Sequence, residues 1–157
     1  MSNNPLILDS SISVSTWMDI TTAPPVTIPL ATLFLDTKTL QDVTDGDIKK
    51  INFYNITLTA DSNTTTTGTL SGFITVNNDT LAVLSSLTPS VLASERSIFD
   101  SISGLTVNET GLGTLLQAVK HPPTSPLQVK IILGSSTVAP IHFKLILKVY
   151  GQIQTKP

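Results

Sequence analysis

Two histidines, His121 and His142, are the side chains of this sequence best suited to acid–base chemistry. A Ser–His–Asp site would need one of them to be oriented by a carboxylate and to contact a serine hydroxyl. The sequence contains no Gly-x-Ser-x-Gly motif that would supply such a serine. His142 falls on the polar face of a predicted strand, and His121 at a predicted helix end, where the helix dipole favours a cation. These positions predict a non-enzymatic protein, and a hydrolase stays open as an alternative.

Three aspartates around a glycine, Asp42, Asp45 and Asp47, form the densest acidic cluster of the chain. Closely spaced carboxylates can ligate Ca²⁺, which prefers several oxygen ligands. The EF-hand spacing is absent, and aspartate and glycine also suit a simple surface turn. A calcium site and a turn therefore both stay open. Two histidines without any cysteine do not favour a transition-metal site, and no cofactor is expected.

Gly111 and Gly113 open a predicted helix, and a phosphate could bind at such a helix N-terminus. The dinucleotide-binding motif would require a third glycine at position 116, which is leucine, and a strand–helix–strand unit around it. The two glycines therefore do not indicate nucleotide binding.

Aromatic side chains fall on the more polar face of several predicted strands, opposite the face with most of the apolar residues. Trp17, Tyr54 and Tyr150 are the candidate ligand-binding residues, and Phe73 shares their pattern. Aromatic rings on the outer face of a sheet can form a platform for a glycan or an apolar molecule. They can equally be covered by a loop or a helix, and this is the arrangement we expect here. Binding of a small ligand therefore remains an alternative function.

Composition limits the classes of protein to consider. The chain has 157 residues, of which 40% are hydrophobic and 13% charged, with a net charge of −2 and no cysteine. This length predicts one domain over residues 1–157, from which residues 1–10 could extend as an N-terminal arm. A nucleic-acid-binding protein would carry a basic excess, so nucleic acid is not an expected partner. No apolar run of 18 residues is present, so no transmembrane helix is expected.

Alternating hydrophobic residues are the dominant pattern, and a period of two predicts strands. It is clearest over residues 141–153 and 127–133, which are expected to form an antiparallel hairpin. In the segment 48–60 the apolar parity changes, which predicts a β-bulge near Tyr54 and Asn55. The remaining predicted strands cover residues 12–20, 26–34, 70–76 and 81–87, with a short one at 106–107.

Two connections show helical spacing. Leu112, Leu115, Leu116 and Val119 follow the i, i+3, i+4, i+7 pattern, with Asn108 or Thr110 as the cap and two prolines after the helix. A second helix is predicted from residue 91 to 102. The sequence as a whole predicts an all-β fold, a two-layer antiparallel β-sandwich of about eight strands with one or two short helices.

The second half of the chain resembles small β-sandwich domains of bacterial cell-envelope lipoproteins of unknown function. The matching segments are a polar-loop hairpin, a short strand, a Leu-x-x-Leu-Leu helix and a final amphipathic hairpin, at residues 51–60, 105–108, 112–119, 127–133 and 141–153. The resemblance implies a sandwich fold and an envelope location, without any catalytic or binding residue.

The expected function is that of a structural or interaction module that acts through its surfaces and strand edges, in an envelope, coat or fibre assembly. Residues 6–8 could pair with a neighbouring sheet edge, because open edges present unpaired N–H and C=O groups. Self-association or a protein partner is therefore expected. The absence of a basic, apolar leader and the Thr/Ser-rich composition favour a mature surface-exposed form, in the cell envelope or outside the cell, and a cytoplasmic location stays open.

Overall fold

In the part of the chain that the structure describes, nine strands form two antiparallel sheets and one α-helix connects two of the strands. A computed structural model of the chain describes residues 7–20, 31–36, 48–63, 69–136 and 141–155. The elements are β1 (Ile7–Ile20), β2 (Ala31–Leu35), β3 (Ile48–Asp61), β4 (Leu70–Val76), β5 (Asp79–Leu87), β6 (Arg96–Ser97), β7 (Leu105–Val107), α1 (Glu109–Lys120), β8 (Leu127–Ser136) and β9 (Ile141–Thr155).

The four-stranded sheet has the order β1-β9-β3-β6, and the five-stranded sheet has the order β2-β8-β4-β5-β7. The longer strands of each sheet present one apolar face, and the apolar faces of the two sheets meet in a single core. On β9, for example, Phe143, Leu145, Leu147 and Val149 are buried, while the residues between them are only partly buried. The predicted all-β sandwich is therefore confirmed.

The β-bulge predicted near Tyr54 and Asn55 is confirmed. The register between β3 and β9 shifts between Phe53 and Asn55, so that Tyr54 has no partner opposite it. The extra residue brings Ile51 and Ile56 to the same face despite their opposite parity, and both are buried.

The first helix is confirmed with its cap. The side chain of Asn108 accepts a hydrogen bond from the backbone N–H of Thr110 at 3.0 Å. Gly111, Leu115, Ala118 and Val119 form the buried face. The helix packs chiefly against β5 and also contacts β3 and β4, so it spans both layers at one side of the core.

The second helix, predicted for residues 91–102, is wrong. One 3₁₀ turn covers Pro89–Leu92, and β6 then pairs with Thr57 and Leu58 of β3. The extended chain supplies hydrogen-bond partners to the outer edge of β3, as in the bond from the Ile98 N–H to the Ile56 carbonyl at 3.0 Å. Leu92, Ile98 and Ile102 still reach the core, so burial does not require a helix here.

The predicted hairpin of β8 and β9 is also wrong, because the two strands lie in different sheets. The apolar residues of both strands lie in the same core. Alternation predicts which face of each strand is buried, and strands placed side by side or stacked face to face satisfy it equally.

Two further details differ from the sequence reading. Residues 7–10 do not form an arm, because they pair with Gly151–Gln154 within β1 and β9, which satisfies their backbone groups. Of the strand predicted over residues 26–34, residues 26–30 lie outside the described residues. Alternation from Val26 and Ile28 predicts that Phe34 is buried, but in β2 Leu35 is buried and Phe34 is 65% exposed. Both parities of this segment carry apolar residues, so alternation could not choose between them.

Candidate functional site

Two of the candidate aromatic residues, Trp17 and Tyr150, are far apart in the structure, whereas Tyr54 is the chain neighbour of Asn55, which pairs with Tyr150. Trp17 lies on the outer face of the four-stranded sheet, is 52% exposed, and stacks on His142 with ring centroids 5.0 Å apart. Its partner on β9 is Lys144, six residues before Tyr150, which corresponds to roughly 20 Å along the strand. Tyr54 occupies the bulge of β3. Trp17 and Tyr150 therefore share a face but not a single binding site.

The remaining candidate residues have different outcomes. Asp42, Asp45 and Asp47 lie outside the described residues, so the calcium site stays a prediction. Within the described ranges, no group of three His, Asp or Glu side chains is arranged to hold a metal ion. His142 lies on the outer face of β9, directly opposite Asp19 of β1 in the register.

A hydrogen-bonded cluster on the same face centres on Glu95, just before β6. Its carboxylate oxygen Oε2 accepts hydrogen bonds from the hydroxyl of Thr57 on β3, at 2.6 Å, and from the hydroxyl of Tyr150 on β9. Lys148 lies over the Tyr150 ring, with Nζ 4.8 Å from the centroid. The cluster connects the segment before β6 to the strands β3 and β9, and sequence reasoning missed it because Glu95 was assigned to a helix.

The donors around Glu95 stabilise its charged form. The Thr57 and Tyr150 hydroxyls lower the pKa of the Glu95 carboxyl, Lys148 lowers it further, and partial burial opposes them. A lowered pKa in the folded state stabilises the fold above the pKa of the unfolded chain, and this contribution is lost as the pH falls through the folded-state value.

We expect Glu95→Gln to lower the free energy of unfolding by about 1 kcal/mol near neutral pH, because charge-assisted hydrogen bonds are lost at an exposed site. The difference from the wild type should shrink in strongly acidic buffer, where the wild-type carboxyl is itself protonated. Urea denaturation at both pH values measures the free energy of unfolding of each protein. Asp100→Asn, which neutralises an exposed carboxyl shortly after β6, is the control. A difference that is independent of pH would contradict this role.

The outer edge of β1 is the longest strand edge with which no described residue pairs, although β2 of the other sheet contacts β1. β1 pairs with β9 over fourteen consecutive residues without a register shift. None of the residues that the structure describes pairs with its other edge. The other edge strands in the described ranges are β2, β6 and β7, which have five, two and three residues. The part of β3 before its pairing with β6, residues 48–55, is also an open edge, but its register with β9 is irregular at two places and it carries Lys49 and Lys50. β1 therefore offers about seven residues whose N–H and C=O groups point away from the sheet.

A second exposed feature is an apolar row on the outer face of the five-stranded sheet. Phe73 of β4 lies directly opposite Ile132 of β8 and Val83 of β5. Phe73 is 47% exposed and Ile132 39%. The expectation that the outward aromatics are covered is therefore wrong for Phe73 and Trp17. Alternation predicted that Phe73 lies on the outer face of its sheet. It could not predict the exposure of Phe73, which depends on whether another element packs on that face.

The space between the sheets is closely filled. The cavity lined by Met18, Leu58, Ile74, Phe143 and neighbouring core side chains has a volume of about 10 Å³. Ligand sites for small molecules usually measure about 300–1,000 Å³. The described part of the core therefore has no room for an apolar ligand between the sheets.

The fold defines the class of this protein as an all-β sandwich, in which β1 has one long edge that none of the described residues pairs with. No protein-family model and no curated protein matches the chain. A solved structure, the cyanophage Pam1 capsid asymmetric unit, contains a chain similar to this one at 15% identity and a TM-score of 0.39. The match covers 100% of this chain and 89% of that chain. Within the described residues, no helix is long and apolar enough to span a membrane.

Proposed function

We propose that this protein is a non-enzymatic structural subunit that assembles with other protein chains through the free edge of β1, within an envelope, coat or fibre. The observation that carries the proposal is the contrast between β1 and the other edges. A long, regular edge strand is a template for pairing with another chain, and monomeric proteins commonly protect such edges.

Most of the usual protective features are missing from β1, although Asp9 and Asp19 place charge near its two ends. Edge strands that avoid association are short, carry lysine or proline, or contain a bulge. β1 has fourteen residues, neither lysine nor proline, and an unbroken register with β9. Serines at 11, 13 and 15 alternate on its outer face and are small enough to let another strand approach. The edge is therefore suited to main-chain pairing, which gives affinity without a deep pocket.

The test is to place positive charge on this edge. We expect the wild type to form oligomers whose mass rises with concentration in size-exclusion chromatography with light scattering. Ser11→Lys combined with Ser13→Lys should reduce the mass to that of a monomer, because lysine on an edge disfavours strand pairing. Both serines are exposed, but Ser13 lies opposite Lys148 on β9, so urea denaturation of the variant must show that the fold is kept before its mass is compared.

Thr106→Lys combined with Ser125→Lys is the matched control, since it adds the same charge at exposed positions away from β1. This control variant should keep the wild-type mass. A wild type that stays monomeric at every concentration, or an edge variant that assembles like the wild type, would reject the proposal.

A further inference from the structure

We infer that the partner of the β1 edge is a second copy of this chain, and that the two β1 strands pair antiparallel about a two-fold axis through Ile12. The inference rests on the proposed function and specifies its partner and register. It begins from the two large hydrophobic residues that β1 exposes, Ile7 at 64% and Trp17 at 52%. Both lie on the outer face, ten residues apart, with Ile12 midway between them.

Backbone geometry restricts the registers that a strand can form with its own copy. In an antiparallel pair, two residues directly opposite each other either both turn their N–H and C=O groups towards the partner or both turn them away. This orientation alternates along the strand, so residues of equal parity must face each other. The two-fold axis must therefore pass through a residue, which leaves a few candidates near the middle of β1.

An axis through Ile12 gives complementary pairs on the outer face. Ile7 lies opposite the partner's Trp17, and the symmetric pair repeats this contact at the other end, as a closed two-fold interface requires. Between them, Asp9 lies opposite Ser15, and Ser11 opposite Ser13. Both exposed hydrophobic side chains are then covered by each other, and an aromatic–aliphatic cross-strand pair is favourable.

The neighbouring registers lack this complementarity. An axis through Ser13 places Asp9 opposite Trp17. An axis through Val14 places Asp9 opposite Asp19, and like charges directly opposite each other destabilise a sheet. An axis through Ser11 leaves Trp17 opposite a position before the start of β1. The register about Ile12 is favoured because it alone pairs the two exposed hydrophobic residues.

The same register continues the inner face of the sheet. Ile12 lies opposite its own copy, and Leu8 lies opposite Thr16, both partly buried positions of β1. The two four-stranded sheets join into one sheet of eight strands, a size that open sheets commonly reach. Each copy keeps its own sandwich core, so pairing requires no change in the subunit.

Disulfide trapping tests the register, since the chain contains no cysteine. Ser11→Cys combined with Ser13→Cys places cysteines directly opposite each other, with Cα atoms about 4.5–5.5 Å apart, within the range for a disulfide. Each single variant places its cysteine diagonally from its copy, at about 7–8 Å, which is outside that range. We expect at least about tenfold more covalent dimer from the double variant than from either single variant under mild oxidation.

Ser125→Cys, in an exposed loop, gives the background of random collisions. Efficient cross-linking of the Ser13→Cys single variant would move the axis to Ser13, and cross-linking of both single variants would indicate a parallel pair. Either result overturns the inference. If the wild type assembles and the lysine variant does not, but no cysteine variant cross-links above background, the two-fold pairing is wrong while the proposed function stands. A monomeric wild type rejects both.

Discussion

Gly111→Ala is expected to lower the free energy of unfolding by about 3 kcal/mol, because helix α1 contacts the backbone of β5 at this residue. A Cβ atom at position 111 would lie 2.4 Å from the backbone N of Leu81 and from the backbone C and O of Thr80. These are backbone atoms of a strand paired on both sides and cannot move as a flexible side chain would. The helix would have to shift outward and open the core beneath it.

Helix propensity alone predicts that Gly111→Ala would raise the free energy of unfolding. Alanine is a better helix former than glycine by about 1 kcal/mol, so the substitution would stabilise a helix that stands free of neighbours. Gly113 provides that case, because a Cβ atom there meets nothing within 4 Å. Gly113→Ala should therefore raise the free energy of unfolding by about 0.5–1 kcal/mol.

Urea denaturation of both variants and the wild type under the same conditions measures the two changes in the free energy of unfolding. Steric conflict predicts opposite signs for two glycines only two residues apart. Equal effects at both positions would contradict the close approach of α1 to β5. The sequence shows both glycines but cannot distinguish them, because the difference depends on a strand about thirty residues away.

The fold class could be predicted because it depends on local alternation. Period-two spacing predicts which face of each strand is buried, and a change of parity between Ile51 and Ile56 predicts the bulge between them. The helix at Glu109–Lys120 was found because its cap at Asn108 and its apolar spacing lie within one short segment. These features need no knowledge of which strand lies beside which.

Strand neighbours could not be predicted, because they depend on non-local contacts. The prediction of a β8–β9 hairpin was wrong for this reason, although both strands were predicted correctly. The helix prediction for residues 91–102 was wrong because this segment supplies hydrogen-bond partners to the edge of β3. Helical spacing in the sequence does not show that requirement. Glu95 was missed for the same reason, since Thr57 and Tyr150 are distant in sequence and are brought to its carboxylate by the sheet.

The candidate site was only partly predictable for a related reason. Alternation placed Trp17 on the outer face, where the structure also has it. It could not show that Tyr150 would lie far from Trp17, or that β1 would occupy the edge of its sheet. The sequence predicted edge pairing only for residues 6–8. In the structure, residues 7–20 form one continuous strand, and no described residue pairs with its second edge.

Ile56→Ala should be the most destabilising of the simple truncations on β3, by about 3 kcal/mol. The side chain of Ile56 is completely buried, directly after the bulge, and it faces the core shared by both sheets. Truncation of a buried isoleucine removes its transfer free energy and leaves a cavity, which together cost about 2–5 kcal/mol. A domain of this size is usually stable by only about 5–15 kcal/mol, so the loss is a large fraction of the total.

Ile146→Ala is the matched control, because it truncates the same side chain in the same sheet on the opposite face. Ile146 lies on β9 between Ser15 of β1 and Thr59 of β3, and it is only partly buried on the outer face. Its truncation should cost less than about 1.5 kcal/mol, since little cavity is formed. The ratio of the two losses, measured by urea denaturation, reports which face of the sheet is covered. Equal losses would mean that another layer covers the outer face of the β1-β9-β3-β6 sheet, and would contradict the two-layer sandwich on which the free β1 edge depends.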